Sequence, residues 1–267
     1  MKEGYIEFIK NNKRNAINIT IGESIEYKPG ISHFGGKPDL PLGFRWPVYM
    51  DEVIDADPYL LAFLAQFNCE EIYRYDLNSV LPKKGILSFF YDIEGQPWGL
   101  EKGERAGSRV FFFEDIGLLQ ETACSDNDNS PIELPLLEIK YECENSYPSW
   151  EEYNYLKCNM STEDIKVYCD VLKELGYESV YERSKLLGWA DVIQNSMIQT
   201  CEKMIYNEKI DDASVLLDKW QLLLQLNSIA NEKIELLFGD CGNIYFYINK
   251  MDLINNNFEN TWTILQC

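Results

Sequence analysis

The sequence predicts an α+β fold, built mostly from antiparallel β-strands with a few helices. Short runs of apolar and aromatic residues alternate with a period of two, as half-buried strands do. Helical segments are fewer, and they do not alternate regularly with the strands as a doubly wound parallel sheet requires. The chain has 267 residues, 46% of them hydrophobic, so it can bury a large core and is not disordered as a whole. We expect residues 1–267 to form a single compact domain.

The first half of the chain predicts one helix followed by strands. The charged, amphipathic segment "GYIEFIKNNK" near the start predicts a helix, and "AINITI" (16–21) predicts a strand. Four further segments are rich in β-branched and aromatic residues, which are typical of strands. We therefore expect strands at 60–68, 85–92, 108–115 and 132–143.

The second half predicts two helices and two more strands. In "STEDIKVYCDVLKELG" (161–176), Ser161 or Thr162 can cap the helix start and Gly176 follows its last turn. Apolar residues fall on one side of this segment at helical spacing. A weaker helical pattern covers 191–207, and strands are predicted at 220–227 and 242–249.

Two parts of the sequence are similar. Aligning Gln66 with Gln225 brings a glycine-started strand after each ("GILSFFYD" and "GNIYFYIN") and a glycine turn before each ("HFGGKP" and "LLGWAD"). We interpret this as an internal duplication of a turn-strand-strand unit. The two halves then cover about 15–115 and 180–267, and an acidic strand and helix connector covers 116–179. Chance similarity between short apolar strands is the alternative explanation.

The charge of the chain restricts its partners. Lys and Arg total 24 and Asp and Glu total 44, so the formal net charge is −20. Such a field repels nucleic acid and anionic membranes, and we expect neither as a partner. The acidic excess is concentrated in the middle of the chain, including acids at 126, 128, 142, 144, 151 and 152. This region is either a solvated face or a docking surface for a basic protein partner.

Cysteine usage and hydropathy indicate a cytoplasmic protein. The start of the sequence lacks the apolar core of a secretory signal, and no segment approaches the ~20 apolar residues that span a bilayer. The eight cysteines contain no C-x-x-C pair. We therefore expect reduced thiols, and neither a metal site nor another cofactor.

The segment 32–47, "SHFGGKPDLPLGFRWP", concentrates turn formers and aromatic residues. Gly35 and Gly36 permit a positive φ, and three prolines prevent a helix, so we interpret the segment as a rigid structural corner. His33 is the only histidine of the chain, so any histidine-dependent catalysis has to use it. No sequence signature of a serine hydrolase, a zinc protease or a nucleotide-binding loop is present, and a Cys-His pair formed in space stays open.

Seven residues are candidates for a binding site, and none is predicted to be catalytic. Arg45 beside Trp46 can bind a carboxylate or stack on an aromatic ring. The two glutamines, which end apolar strands, are either satisfied by the backbone or point into a shared pocket. One aspartate is expected to form an Asx turn, and one tryptophan to anchor a turn. The full set is His33, Arg45, Trp46, Gln66, Trp98, Gln225 and Asp240.

Several of these segments together resemble the YwqG-like bacterial proteins, a family described as a domain of unknown function. The resemblance is carried, in order, by "FGGKPDLPLGFRWP", "LAFLAQFN", "LPKKGILSFFYD", "WQLLLQLNS", "GDCGNIYFYINKMDL" and "TWTILQC". It covers nearly the whole chain, but Gly188-Trp189 leads to Ala190 where the family often has a proline. The resemblance implies a compact cytoplasmic α+β protein and no assigned reaction.

Three functions are compatible with the sequence. The first is a non-catalytic protein-interaction module with an acidic surface, by analogy with acidic immunity proteins of bacterial toxin systems. The alternative is a small-ligand-binding protein or unrecognised hydrolase with a pocket between the two repeats, where Arg45, Trp46 and the two glutamines converge. A thiol-based role is the third, and it requires Cys241 and Cys267 to lie close together.

Overall fold

The computed structural model describes residues 2–49, 59–124, 130–157, 160–177, 182–206 and 213–267. It consists mostly of antiparallel strands with short helices, so the predicted α+β class is confirmed. No helix within these ranges is long and apolar enough to cross a membrane.

The strands and helices follow one another irregularly along the chain. The strands are β1 (Arg14–Ser24), β2 (His33–Phe34), β3 (Asp39–Pro41), β4 (Val48–Tyr49), β5 (Tyr59–Leu60), β6 (Ala62–Asn68), β7 (Ile86–Tyr91), β8 (Ser108–Phe113), β9 (Leu119–Glu121), β10 (Leu137–Ser146), β11 (Ser184–Leu187), β12 (Trp220–Asn227), β13 (Ile229–Ala230), β14 (Glu235–Leu236), β15 (Asn243–Asn249) and β16 (Trp262–Gln266). The α-helices are α1 (Lys2–Asn11), α2 (Cys69–Ile72), α3 (Trp150–Lys157), α4 (Thr162–Glu174), α5 (Ile198–Tyr206), α6 (Ala213–Lys219) and α7 (Lys250–Ile254). Short 3-10 helices cover Lys102–Gly107, Ile116–Leu118 and Phe258–Asn260.

Ten strands of the described residues form one antiparallel sheet, and its order reads similarly from both ends. From one edge the order is β8, β7, β6, β2, β10, and from the other it is β16, β15, β12, β11, β1. We call β1, β2, β6, β7 and β8 the first unit, and β10, β11, β12, β15 and β16 the second unit. The first strand of each unit lies beside the other unit, because β1 pairs with β11 and β10 pairs with β2.

Strand registers match between the two units. Gln66 lies opposite Ser88 in the first unit, and Gln225 lies opposite Tyr245 in the second. The register shifts once in each pair, between Phe63 and Ala65 on β6 and at the corresponding place on β12. The alignment made from the sequence therefore agrees with the observed pairing of both strand pairs.

The main hydrophobic core takes side chains from both units. Phe89 of β7 and Phe246 of β15 occupy corresponding positions and meet edge to face, with ring centroids 5.2 Å apart. The Trp98-Gly99 turn also joins the units, because the Trp98 carbonyl accepts a hydrogen bond from the Leu265 amide of β16 (3.1 Å). Burial of apolar area is the dominant favourable contribution to folding, and this core joins the two units.

Two predicted elements begin several residues later than expected. The helix predicted at 191–207 begins at Ile198, because the amides of Ile193 and Gln194 donate to the Gln266 side chain instead of forming a helical turn. The strand predicted at 132–143 begins at Leu137, after a proline that cannot donate to a strand ladder. Part of the polar loop between β9 and β10, residues 125–129, lies outside the described residues.

Candidate functional site

The two glycine turns each contain two consecutive residues with a positive φ. Gly35 and Gly36 have φ of 60° and 65°, and Leu187 and Gly188 have φ of 61° and 72°. The left-handed conformation is unfavourable for Leu187, which has a side chain. In the first turn a glycine is required, because a Cβ on Gly35 would lie 2.2 Å from the Pro135 carbonyl oxygen.

Behind the first turn lies a buried polar cluster, which we call the first network. Asp39 accepts hydrogen bonds from the Tyr27 hydroxyl (2.5 Å), the Gly30 amide (2.9 Å) and the Gln66 side-chain amide (2.6 Å). The Gln66 carbonyl oxygen accepts from the Asp39 backbone amide at 2.8 Å, and its Nε2 also donates to the Ile31 carbonyl. The network satisfies a carboxylate that is 1% exposed using neutral donors.

The second unit contains the same arrangement, which we call the second network. Asp191 accepts from the Tyr177 hydroxyl (2.7 Å) and from the Gln225 side-chain amide (3.0 Å). The Gln225 side chain in turn accepts from the Asp191 backbone amide (2.9 Å) and donates to the Arg183 carbonyl (2.8 Å). Lys185, which is also completely buried, forms an ion pair with Asp191 at 2.6 Å.

The networks differ at His33 and Lys185, which occupy corresponding strand positions opposite the two glutamines. His33 Nδ1 donates to the Gly35 carbonyl at 2.8 Å, and its Nε2 has no hydrogen-bond partner among the described residues. Burial lowers the pKa of His33 and also lowers the pKa of Lys185, which the neighbouring Asp191 opposes. Both side chains are fully buried, so neither is presented to a ligand.

The structure does not bring the predicted binding residues into one cavity. Gln66 and Gln225 belong to the separate networks. Trp46 lines a small cavity of about 80 Å³ together with residues 123–124 and 130–133, and neither glutamine lines it. Trp46 Nε1 donates to the Leu61 carbonyl (2.8 Å), while Arg45 is exposed.

The remaining candidates lie at turns. Trp98 is partly exposed, and its amide donates to a carboxylate oxygen of Glu104 at 2.8 Å. Asp240 is exposed in the turn before β15, where the Gly242 amide donates to the Phe238 carbonyl (2.7 Å). The predicted Asx turn at Asp240 stays a prediction. Within the described ranges, no group of three or more His, Cys, Asp or Glu side chains is arranged to hold a metal ion.

A different cavity lies where the two units meet, and we call it the basic cleft. Its volume is about 320 Å³, within the usual size range of small-molecule sites. The start of β1 and the α2–β7 loop of the first unit form one side, and Leu187, β12 and α7 form the other. Its lining residues are Arg14, Asn15, Asn78, Ser79, Val80, Leu187, Gln221, Lys250, Leu253 and Ile254.

Two cations give the basic cleft its character. The Arg14 guanidinium stacks on the Trp189 ring, 3.6 Å from its centroid, and donates to the Leu217 carbonyl at 2.7 Å. No carboxylate of the described residues is within ion-pair distance of Arg14. Lys250 has only a 3.8 Å contact with Asp218, whose side chain is 91% exposed and therefore well screened by water.

Burial and Arg14 both disfavour the charge of Lys250. Burial lowers the pKa of Arg14 to about 10, although the nearby Glu152 and Asp218 oppose this shift, and burial followed by the nearby Arg14 lowers the pKa of Lys250. Holding two positive groups together in a partly desolvated place is unfavourable unless an anion joins them. The basic cleft is thus the reverse of the acidic character of the chain as a whole.

A buried carboxyl group lies behind Arg14. Glu152 on α3 is fully buried, and its Oε2 accepts a hydrogen bond from the Ser196 hydroxyl at 2.8 Å. Its Oε1 has no hydrogen-bond partner among the described residues. Burial raises the pKa of Glu152 to about 7, although Ser196 and Arg14 oppose this shift.

The acidic residues chosen from the sequence do not form one continuous surface. Glu151 and Glu152 are buried, which is wrong for a docking face. Glu144 is tied to Arg183 by an ion pair and accepts from the Asn18 side chain at 2.6 Å. Glu142 is exposed, whereas positions 126 and 128 lie outside the described residues.

Comparison with known proteins gives a family without an activity. No curated protein matches the chain. Residues 32–267, which include the second network, Asp39 and Gln66 of the first network and most of the basic cleft, match the family described as a domain of unknown function (DUF1963). The chain therefore belongs to the DUF1963 family.

Proposed function

We propose that this chain is a non-catalytic binding protein whose basic cleft takes a small anionic ligand. The observation that carries the proposal is that Arg14 and Lys250 line one cavity, and within the described residues Arg14 has no ion pair and Lys250 only the 3.8 Å contact with the exposed Asp218. A guanidinium held over the Trp189 ring is pre-organised for an anion, which reduces the entropy lost on binding.

The other polar groups of the cleft are suited to binding. Asn15, Asn78 and Gln221 contribute amides, and Ser79 contributes a hydroxyl. Among the residues that the structure describes, the lining contributes no carboxyl, imidazole or thiol group, the usual general bases and nucleophiles. This composition favours recognition over hydrolysis, so the hydrolase alternative is weaker than the ligand-binding one.

Isothermal titration calorimetry with inorganic phosphate and with acetate tests the proposal. We expect Lys250→Gln to weaken anion binding by at least tenfold, because one of two charge-assisted contacts is lost. Arg14→Gln should weaken it further, with a thermal unfolding scan to verify that the variant is folded. Lys166→Gln, which removes an exposed lysine of α4, is the matched control and should bind as the parent does.

The proposal fails if no anionic probe, with or without an apolar group, binds in a manner that depends on Lys250. An equal loss of affinity in Lys250→Gln and Lys166→Gln would mean that only net charge is being measured, and equal affinity in all three proteins would contradict the role of Lys250.

A second candidate is the acidic interaction module, possessing a surface for a basic protein partner. It is supported by the net charge of −20 and by exposed carboxylates such as Glu142, Glu163 and Asp170. Co-purification from a native lysate should then be lost when these three are changed to amides, and should weaken with salt. Unchanged recovery contradicts this candidate.

We also propose that the chain is a YwqG-like cytoplasmic protein whose single domain arose by duplication. The matching strand order, the matching registers and the paired networks support the duplication. A single cooperative unfolding transition, coincident by far-ultraviolet circular dichroism and by tryptophan fluorescence, is the expected behaviour of one domain.

A further inference from the structure

The basic cleft has an apolar side as well as a cationic one. Val80, Leu187, Leu253 and Ile254 supply aliphatic surface to the same cavity that Arg14 lines. Leu253 is almost completely buried, which fixes the floor of this side. A simple inorganic anion would use the cations and leave this surface in contact with water.

Apolar side chains continue from the cleft onto the surface. Ile254, at the cleft, is 72% exposed, and Met251 on the same face of α7 is 64% exposed. Leu77, 68% exposed, precedes the lining residue Asn78, and its amide donates to Asn15 at 3.0 Å. Exposed large apolar residues are unremarkable singly, but a group beside a cavity marks a binding surface.

We propose that the ligand of the basic cleft is an amphiphilic anion: one carboxylate or phosphate head joined to a short apolar chain or ring. This inference rests on the proposed function, because it assigns the head to Arg14 and Lys250 and the apolar part to Leu253, Ile254 and Met251. Lys250 and Ile254 are the first and last residues of α7, so the two sides are separated by roughly 6 Å along the helix. That separation suits an apolar group of a few carbons.

Charge makes a membrane surface an unsuitable occupant. The anionic lipid face would meet the acidic exterior of a chain with a net charge of −20 before it reached the two cations of the cleft. A small, freely diffusing anion enters with much less repulsion.

Four probes separate the head from the apolar part: methyl phosphate, hexyl phosphate, hexanoate and hexanol. We expect hexyl phosphate to bind at least tenfold more tightly than methyl phosphate, because part of the added chain is removed from water. Hexanol should bind more weakly than the tighter of hexyl phosphate and hexanoate, because it has no charge for Arg14 and Lys250. The tighter of these two anions identifies the head group, and dependence of its binding on Lys250 supports the proposal.

Variants of the exposed apolar residues test the placement of the apolar part. The double variant Met251→Ser, Ile254→Ser should lose most of the gain of hexyl phosphate over methyl phosphate and keep the affinity for methyl phosphate. Leu42→Ser, an equally polar change at a residue that is 85% exposed elsewhere, should alter neither affinity. Both variants change surface side chains, so folding should persist, and circular dichroism verifies it.

The possible failures are distinguishable. Equal affinity for methyl and hexyl phosphate overturns the amphiphilic ligand and leaves anion binding in place. Hexanol binding as tightly as hexyl phosphate overturns the role of the head. If none of the anions binds in a Lys250-dependent manner, the proposed function and this inference fail together.

Discussion

The first and second networks both stabilise a buried aspartate with a tyrosine and a glutamine, but the third donor to the carboxylate differs. In each, a buried aspartate accepts from a tyrosine and a glutamine that also receives the aspartate's own amide. In the first network the third donor is the Gly30 amide, whereas in the second it is the Lys185 ammonium. The carboxylate is thus stabilised once by neutral donors and once by a cation.

The difference shows that a network of this kind can form behind a glycine turn without a buried charge pair. Burying an ion pair costs desolvation of both groups, and the mutual attraction only partly offsets it. The first network achieves the same geometry with one buried charge fewer, and His33 occupies the lysine position as a neutral ring against Phe63. The second network is therefore the more sensitive to the loss of one partner.

Removing the cation should produce the largest effect. We expect Lys185→Met to lower the free energy of unfolding by about 3–5 kcal/mol, because Asp191 would stay buried without its counter-charge. Urea denaturation followed by circular dichroism measures the change. Adding Asp191→Asn should recover part of the loss, because no buried charge then remains.

The matched change in the first network is His33→Gln, which removes a neutral ring of the same strand position. It should lower the free energy of unfolding by clearly less than Lys185→Met does. Equal costs would contradict the distinction between a neutral and a charged network.

Glu152 is another buried carboxyl group, and burial raises its pKa well above the ordinary value. Its pKa is about 7 in the folded chain and 4.5 ordinarily, so between these pH values the folded chain holds a proton that the unfolded chain has lost. The free energy of unfolding therefore falls as the pH rises from about 4.5 to 7, on the order of 3 kcal/mol from this group. Glu152→Gln should remove that fall and keep the bond from Ser196.

The measurement is urea denaturation of the parent and Glu152→Gln at several pH values between 4.5 and 8. The difference between the two proteins isolates Glu152 from the other titrating groups. A difference that does not change with pH would mean that Glu152 keeps its ordinary pKa in the folded chain.

Substituting the tyrosine of each network should change the free energy of unfolding least, and it compares one hydrogen bond in the two networks. Tyr177→Phe is expected to cost about 2 kcal/mol, because a hydrogen bond to a buried carboxylate is lost. Tyr27→Phe should cost about 1 kcal/mol, because Tyr27 is only half-buried and water can replace its hydroxyl. Thermal unfolding of both variants tests the order, and a larger loss for Tyr27→Phe would reverse our interpretation of the two environments.

The strands could be predicted because their pattern is local. Alternating large residues at 85–92 and 242–249 gave both strands, and aligning Gln66 with Gln225 placed the units in the register that the structure shows. Asp39 and Asp191 were missed as partners of these glutamines, although each lies three residues after the second residue of its turn pair, at Gly36 or Gly188. That shared spacing was the available signal.

The basic cleft could not be predicted in the same way. Arg14 and Lys250 are more than 200 residues apart in the sequence. Each lies next to other polar residues, where a charged residue attracts no attention. Only the pairing of β1 with β11 and the position of α7 after β15 bring them to one cavity. The local alternation of apolar and polar residues predicts strands and helices, but it does not show which distant residues come together.

Because β1 and β10 each lie beside the other unit, the order of synthesis affects how the protein folds. On the ribosome, β1 is the first strand to leave the exit tunnel, but it pairs with β10 and β11, which end at Ser146 and Leu187. At cellular synthesis rates the strand waits roughly 6–25 seconds before its first partner exists. During that interval its edges are open to other chains, so nascent-chain protection by a chaperone would be most useful there.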